Sequence, residues 1–118
     1  MEGQALKGRL DLLVLAALEA EPSHGYGIIQ ALRDRSHGAF DLPEGTVYPV
    51  LHRLEEQGWL ASRWKRVQGR RRREYRLTAA GRRALRRRRD EWEQFTGAVA
   101  AVLGGSCLLY TSPSPRDS

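Results

Sequence analysis

The apolar residues of this chain recur at helical spacing, then at strand spacing, and then at helical spacing again. Residues 6–20 carry apolar side chains at positions i, i+3, i+4, i+7 and i+8, which predicts a first helix. This helix is apolar beyond one stripe, so it is either central to the core or shared with a partner chain. Pro22 ends it, and Ser23 is placed to cap the next helix. A second helix is expected over residues 24–36, and its inward side chains are Tyr26, Ile28, Ile29 and Leu32.

Two glycines stand in the first turns of this second helix. Gly25 and Gly27 lower its helix propensity by about 1 kcal/mol each. We expect compensation from close packing on the first helix or from close approach to a phosphate. No strand precedes them and a third glycine is missing, so they do not form a dinucleotide-binding motif.

A third helical segment, residues 44–58, combines an apolar side with a compact polar side. Its inward positions are Val47, Val50, Leu51 and Leu54. At about 100° per residue, the opposite side consists of Gly45, Pro49, His52 and Glu56. Its borders and N-terminal edge hold Tyr48, Arg53 and Thr46. We interpret this segment as the recognition helix of a helix-turn-helix that enters a DNA major groove. The alternative is a surface helix packed on a core.

After Gly58 the hydrophobic period changes from helical to two. Residues 60–67 and 72–77 read as strands joined by a turn at Gln68 and Gly69. Their inward or half-buried positions are Leu60, Trp64, Tyr75 and Leu77. The hairpin carries eight basic residues and one acid, and its tip holds Arg70, Arg71, Arg72 and Arg73. Such a hairpin predicts the wing of a winged helix-turn-helix, which reaches phosphates or the minor groove. A solvated hairpin with a charged edge is the alternative.

A long C-terminal helix is expected to begin after Thr78, which caps it. Its heptad-like apolar stripe consists of Leu85, Trp92, Phe95, Val99 and Val102. We expect this stripe and Leu13 of the first helix to pair with a second copy of the chain. The alternative is a helix that folds back on its own domain. Trp92 and Phe95 would suit a flat apolar effector, although Trp92 fits equally well as interface core.

The chain is thus expected to divide into three parts. Residues 1–78 form a winged helix-turn-helix, residues 79–106 a dimerisation helix, and residues 107–118 a tail. The tail has two prolines and no helical period. It resembles a sequencing adapter translated in frame, so it carries no functional argument.

The net charge of +6 over 118 residues is carried almost entirely by arginine. Arginine pairs with phosphate through a planar fork, which favours a nucleic-acid partner and leaves an acidic membrane surface open. No apolar run reaches about 18 residues, and no signal-peptide pattern is present. The single cysteine, Cys107, offers no disulfide framework, so we expect a cytoplasmic protein without membrane contact.

No residue pattern points to an enzyme, a cofactor or a metal. The chain has no nucleophile–base pair with a third member, and its histidines (His24, His37 and His52) lack further ligands at metal spacing. The competing class is a basic RNA-binding protein, which would place exposed aromatic residues on a sheet for base stacking. Here the aromatic residues are expected at helical core positions or on the C-terminal stripe.

Three motifs in this order resemble the PadR-like transcriptional regulators. They are the stretches 22–29 (PSHGYGII), 44–55 (EGTVYPVLHRLE) and 69–81, and the resemblance spans residues 6–104. It implies a winged helix-turn-helix dimer that binds inverted-repeat promoter DNA, usually as a repressor released by a small aromatic or phenolic effector. The single C-terminal helix resembles the short subfamily. The matching recognition positions are Thr46, Tyr48, Pro49, His52 and Arg53. The arginine-rich wing tip departs from the mixed-charge wings of the family, which suggests mostly nonspecific contacts there.

Overall fold

The structure, a computed structural model, describes residues 2–104, which form four helices and a small antiparallel sheet. The helices are α1 (Glu2–Ala17), α2 (Gly25–Arg35), α3 (Glu44–Glu56) and α4 (Ala79–Val102). The strands β1 (Ser23–His24), β2 (Leu60–Val67) and β3 (Arg70–Leu77) form a sheet in the order β1-β3-β2. This confirms the predicted class, mainly α with a small β-hairpin in a winged helix-turn-helix. The tail predicted over residues 107–118 lies outside the described residues.

The core lies where α1, α2 and α3 meet the base of the hairpin. Its best buried large side chains are Leu15, Leu18, Ile28, Leu51, Leu54, Tyr75 and Leu85. On α3, each of the four inward positions predicted from helical spacing is at most 4% exposed. Full burial of an aliphatic side chain stabilises the fold by about 1.5–3 kcal/mol. The core therefore fixes one side of α3 and leaves the other side outward.

The start of α2 differs from its prediction in two ways. Tyr26 is 54% exposed rather than inward, because the buried side runs through Ile28, Ile29 and Leu32. The helix is capped by His24 and not by Ser23. The His24 ring accepts a hydrogen bond from a backbone N–H in the first turn.

The hairpin of β2 and β3 keeps a regular antiparallel register from Leu60 opposite Leu77 to the turn. At that turn Gln68 and Gly69 have φ values of 55° and 79°. Two successive left-handed residues suit a two-residue hairpin turn, because their twist matches that of the strands. β3 begins at Arg70, two residues before the predicted start at 72. The short strand β1, which pairs with β3, was not predicted at all.

Trp64 was placed inward or half-buried by the period-two pattern, but it is 54% exposed. The other inward positions predicted on the hairpin are buried, namely Leu60, Tyr75 and Leu77. The difference follows from geometry, since only the base of β2 touches the core and exposure begins after its first three residues.

Thr78 caps α4 as predicted, because its Oγ1 accepts a hydrogen bond from the N–H of Gly81 at 3.0 Å. The same hydroxyl donates to the carbonyl of Gly58 at 2.7 Å. Leu85 is buried in the core, so it does not belong to the dimer stripe on which it was predicted. The first compact unit extends to Arg86, whereas a boundary after residue 78 stays a prediction. In the second unit, α4 by itself exposes Trp92, Phe95, Val99 and Val102.

Within residues 2–104, no helix combines the length and the apolar character needed to cross a membrane.

Candidate nucleic-acid interface

The N-terminal end of α3 presents a compact outward side. Gly45, Pro49 and His52 are exposed, and Thr46 is half-buried at their edge. A Cβ added at Gly45 would meet no atom of the described residues within 4 Å. The side chains here are short, so the backbone of α3 can approach a flat or grooved surface closely.

A cleft of 510 Å³ lies between the starts of α2 and α3 and the hairpin. Its lining includes Tyr26, Glu44, Tyr48, Trp64, Arg70, Arg71, Arg72 and Arg73. One wall is therefore formed by the arginines of the wing tip, and the opposite wall by the first turns of two helices. Such a lining suits the phosphates of a nucleic-acid strand.

Tyr48 is half-buried and joins the starts of α2 and α3. A Cβ at Gly25 would overlap the Tyr48 ring, so this glycine allows α2 to approach α3. Of the two expected compensations, close packing is observed, but it is on α3 rather than on α1, and close approach to a phosphate stays a prediction. At Gly27 an added Cβ would instead meet the hydroxyl of Ser23. Tyr48 thus packs against the core and also lines the cleft.

The wing-tip arginines have different surroundings. Arg71 lies over Trp64 with its guanidinium carbon 4.6 Å from the ring centroid, and Arg73 lies 5.3 Å from the same ring. Arg73 also donates from Nε to Ser62 Oγ at 2.9 Å, and its Nη2 is 3.7 Å from Glu55 Oε2. Ser62 in turn donates to Glu55 at 2.6 Å. Arg73 thus connects the hairpin to α3, whereas Arg71 is placed over the Trp64 ring.

Arg72 reaches the capping histidine instead. Its Nη1 lies 2.7 Å from His24 Nε2, while His24 Nδ1 accepts from the N–H of Gly27 at 3.0 Å. A neutral imidazole has a single acceptor nitrogen, so it cannot accept both hydrogen bonds at once. Burial, and then the charge of Arg72, lowers the pKa of His24 against the opposing charge of Glu74. The lowered pKa favours the neutral ring, so the N–H of Gly27 and the guanidinium of Arg72 compete for its single acceptor nitrogen.

Glu74 is the acid of the hairpin and holds two of its cations. Arg63 Nε and Lys65 Nζ each lie 3.3 Å from its carboxylate oxygens. Desolvation raises the pKa of Glu74, but the hydrogen bonds and charges of Lys65 and Arg63 outweigh it and lower the pKa. The positive charge that is not neutralised in this way is concentrated toward the tip.

Arg53 points toward α1 and not toward the outward side of α3. Its Nη2 donates to Asp11 Oδ1, and the two groups form an ion pair. The sequence pattern placed Arg53 among the base-reading positions on the border of the helix. The structure gives its guanidinium a partner inside the protein instead.

The residues predicted for dimer and effector contacts lie in both units. In the first, Leu13 lines an apolar pocket of 310 Å³ together with Leu32 and Phe40. In the second, the ring centroids of Trp92 and Phe95 are 5.8 Å apart. Across the part of the chain that the structure describes, no group of three or more His, Cys, Asp or Glu side chains could hold a metal ion.

Sequence reasoning missed several residues of this surface. It placed Tyr26 inward and Trp64 inward or half-buried, gave His24 no partner and did not single out Glu44. A signal for Trp64 was present, because the residues two positions away on the same face of the strand, Ser62 and Arg66, are polar rather than apolar. No local signal links His24 to Arg72, which follows it by 48 residues.

The sequence and the fold match known transcriptional regulators. A sequence model described as "Transcriptional regulator PadR-like family" matches residues 14–87. The chain is 44% identical over 82 residues to the transcriptional regulator Rv3488 of Mycobacterium tuberculosis, covering 70% of this chain and 71% of that protein. A PadR family transcriptional regulator from Eggerthella lenta superposes with a TM-score of 0.74 at 34% identity, covering 89% and 91% of the two chains. One from Clostridium difficile superposes with a TM-score of 0.71 at 31% identity, covering 80% and 98%.

Proposed function

The chain belongs to the PadR-like family of transcriptional regulators, and from this premise we propose that it represses transcription by binding an inverted-repeat DNA operator as a homodimer. The observation that carries this proposal is the compact outward side of α3 beside the arginine-lined cleft. In this arrangement α3 enters the major groove while one DNA strand passes through the cleft.

Base reading falls to the outward side of α3. Thr46 and His52 have polar side chains on this side, while Gly45 and Pro49 permit close approach to the base edges. A good side-chain contact to a base edge discriminates by about 1–3 kcal/mol. Tyr48 contributes its ring to the cleft wall, so its contact is with the DNA backbone.

Phosphate binding falls to the wing. Arg70 and Arg71 lie in the cleft wall, and a guanidinium over a Trp64 ring face can still donate within its own plane. Arg72 is held by a histidine that already caps α2, so a phosphate is a better acceptor for it than that ring. Arg73 stays with Ser62 and Glu55 and keeps the wing in position.

In this proposal, α1 and the exposed stripe of α4 form the dimer interface. The stripe holds Trp92, Phe95, Val99 and Val102, and apolar surface of this kind is buried in an interface. A flat aromatic or phenolic effector that binds beside Trp92 would release DNA only by favouring a dimer geometry that misplaces α3. Leu13 offers the matching apolar contact on α1.

Selection from random duplexes tests the operator. We expect an inverted repeat with half-sites about 34–36 Å apart, one helical turn. Phosphate contacts should make affinity fall by orders of magnitude between about 50 and 200 mM salt. A selection that returns no motif overturns the proposal.

Sedimentation of a Trp92→Ala variant tests the stripe, with Gln94→Ala on the same helix as the control. Loss of the dimer at micromolar concentration in Trp92→Ala alone shows that Trp92 is interface core. An intact dimer that binds DNA but no longer responds to phenolic compounds shows an effector pocket. A wild-type protein that sediments as a monomer removes the basis for both roles.

A single-stranded RNA ligand is the second candidate, because Trp64 and Tyr26 are exposed beside arginines and base stacking needs such rings. The arginines over Trp64 leave less of its ring for a base. A binding competition distinguishes the two ligands. If single-stranded RNA displaces duplex DNA of the selected sequence at equal concentration, the DNA proposal fails.

A further inference from the structure

We propose that Arg53 is a positioning residue, not a base reader: through Asp11 it fixes the orientation of α3 on α1 and thereby the fit of α3 to its operator. This inference rests on the proposed operator binding. Arg53 Nη2 and Asp11 Oδ1 form an ion pair that joins α3 to α1, although the two residues lie 42 positions apart in the chain.

Among residues 9–104, Asp11 is the only charged residue that is buried. Its side chain is 9% exposed, while the side chain of Arg53 is 32% exposed. A buried carboxylate is strongly disfavoured without a paired cation. Asp11 therefore holds the Arg53 guanidinium at a place dictated by α1.

This pairing limits what Arg53 can do on DNA. To reach a base edge, the guanidinium would have to leave Asp11, and a buried charge would remain unpaired. Removing one partner of such a pair is much more unfavourable than breaking an exposed ion pair. A base contact by Arg53 therefore works against the fold, whereas His52 next to it is exposed and has no such constraint.

The Arg53–Asp11 pair is one of two polar contacts that hold α3, and the other is made by Glu55. Glu55, two residues further along α3, bonds to Ser62 of β2 and lies near Arg73 of β3. Arg53 thus connects α3 to α1, and Glu55 connects it to the wing. A helix held by polar contacts to two neighbours keeps its outward side in a defined orientation, which a base-reading surface requires.

The experiment compares folded variants by random-duplex selection and by titration of the selected operator and of unrelated DNA at low temperature. The variants are Asp11→Asn, Arg53→Gln, the conservative Arg53→Lys and the double variant Asp11→Asn/Arg53→Gln, with His52→Ala as the matched control. The wild-type selection comes first, because a wild type without any motif overturns the proposed function before the pair is tested.

We expect Asp11→Asn and Arg53→Gln to return the wild-type bases at every position of the motif. Operator affinity should fall by at least about tenfold, since misorientation weakens all base contacts together. Affinity for unrelated DNA should stay within about twofold, because it depends on phosphate contacts. The double variant should be no weaker than the weaker single variant, and Arg53→Lys should recover part of the loss.

Two results would overturn the inference. If Arg53 variants lose the preference at one base position while Asp11→Asn retains it, Arg53 reads that base. If the variants only melt at lower temperature and bind the operator as wild type does, the pair is structural and does not position α3. His52→Ala should show the opposite pattern, a changed preference at one position with an unchanged melting temperature. If Arg53→Gln does not fold, the base preferences of Arg53→Lys and Asp11→Asn are compared instead.

Discussion

The helix α3 and the wing hairpin face the same cleft, yet they are held in place by different means. One whole side of α3 is buried, and each inward position predicted from its spacing is in the core. The hairpin touches the core only at its base, and its outer part is organised by Glu74, Trp64 and Arg73. The comparison shows that hydrophobic periodicity predicts side-chain placement where a core exists to enforce it. Beyond the core, ion pairs and ring contacts determine where the side chains lie, and such contacts produce no periodic pattern in the sequence.

The largest expected difference between α3 and the wing is in how much a substitution lowers the stability of the protein. Leu51→Ala removes a fully buried side chain of α3 and should lower the free energy of unfolding by about 2–5 kcal/mol. Val67→Ala, near the wing turn, should change it by less than about 0.5 kcal/mol. Urea denaturation measures both. A comparable loss in the two variants would mean that the wing is part of the core after all.

The next largest difference is in DNA binding, because substitutions on α3 should change sequence preference and substitutions on the wing should change overall affinity. His52→Ala or Thr46→Val should remove about 1–3 kcal/mol of discrimination at one base position. Arg70→Ala or Arg71→Ala should weaken binding to all duplexes alike and lower the salt slope by about one each. Equal losses on specific and random DNA in all four variants would show that α3 does not read bases.

A pH titration of unfolding tests the link between α2 and the wing. The pKa of His24 is lowered by burial and by Arg72, so the folded state binds this proton less readily than the unfolded chain does. Its contribution to stability is complete above the unfolded pKa, about 6.5, and is lost as the pH falls through the lowered folded pKa.

The variant His24→Asn checks this by urea denaturation at pH 8 and pH 5. Asparagine retains a capping side chain without a titrating ring, so the loss of stability between the two pH values should shrink. His24→Ala should lower stability at both pH values, by about 1 kcal/mol. If His24→Asn loses as much stability on acidification as the wild type, His24 is not the group responsible.

The smallest effect concerns the ring beneath the wing arginines. Trp64→Leu should weaken DNA binding by about 0.5–1 kcal/mol, the size of an exposed cation–π contact, and Trp64→Phe should lose less. Fluorescence anisotropy with a labelled operator measures the difference. A loss of binding as large as that of His52→Ala would show that Trp64 contacts DNA directly.

Much of the fold followed from the sequence for identifiable reasons. The outward and inward sides of α3 were predicted correctly, because the helical pattern records burial there. The bounds of β2 were also correct, although burial along this strand does not follow a period of two. The cap at Thr78 and the turn at Gln68 and Gly69 were also correct, since both depend on short-range backbone geometry. Strand β1 was missed because two residues carry no period.

The site was less predictable than the fold. The pairing of Arg53 with Asp11 and that of Arg72 with His24 join distant parts of the chain, and no spacing rule indicates them. Position on a helical wheel placed Arg53 correctly at the border of α3 but could not say to which side its long side chain turns. An arginine has several rotatable bonds, so its direction is set by the nearest anion rather than by its place on the helix.

The regular pairing of the hairpin has a consequence for how such wings change length during evolution. With every residue of β2 matched to one of β3 up to a two-residue turn, a single inserted codon in one strand breaks the match beyond it. One added codon in each strand restores the match and extends the wing by roughly 3.4 Å, but it exchanges the two sides of the ribbon, so that Arg71 and Arg73 take the side of Arg70 and Arg72. Two added codons in each strand keep their side. Wings of this type should therefore lengthen and shorten in gene families by four codons at a time.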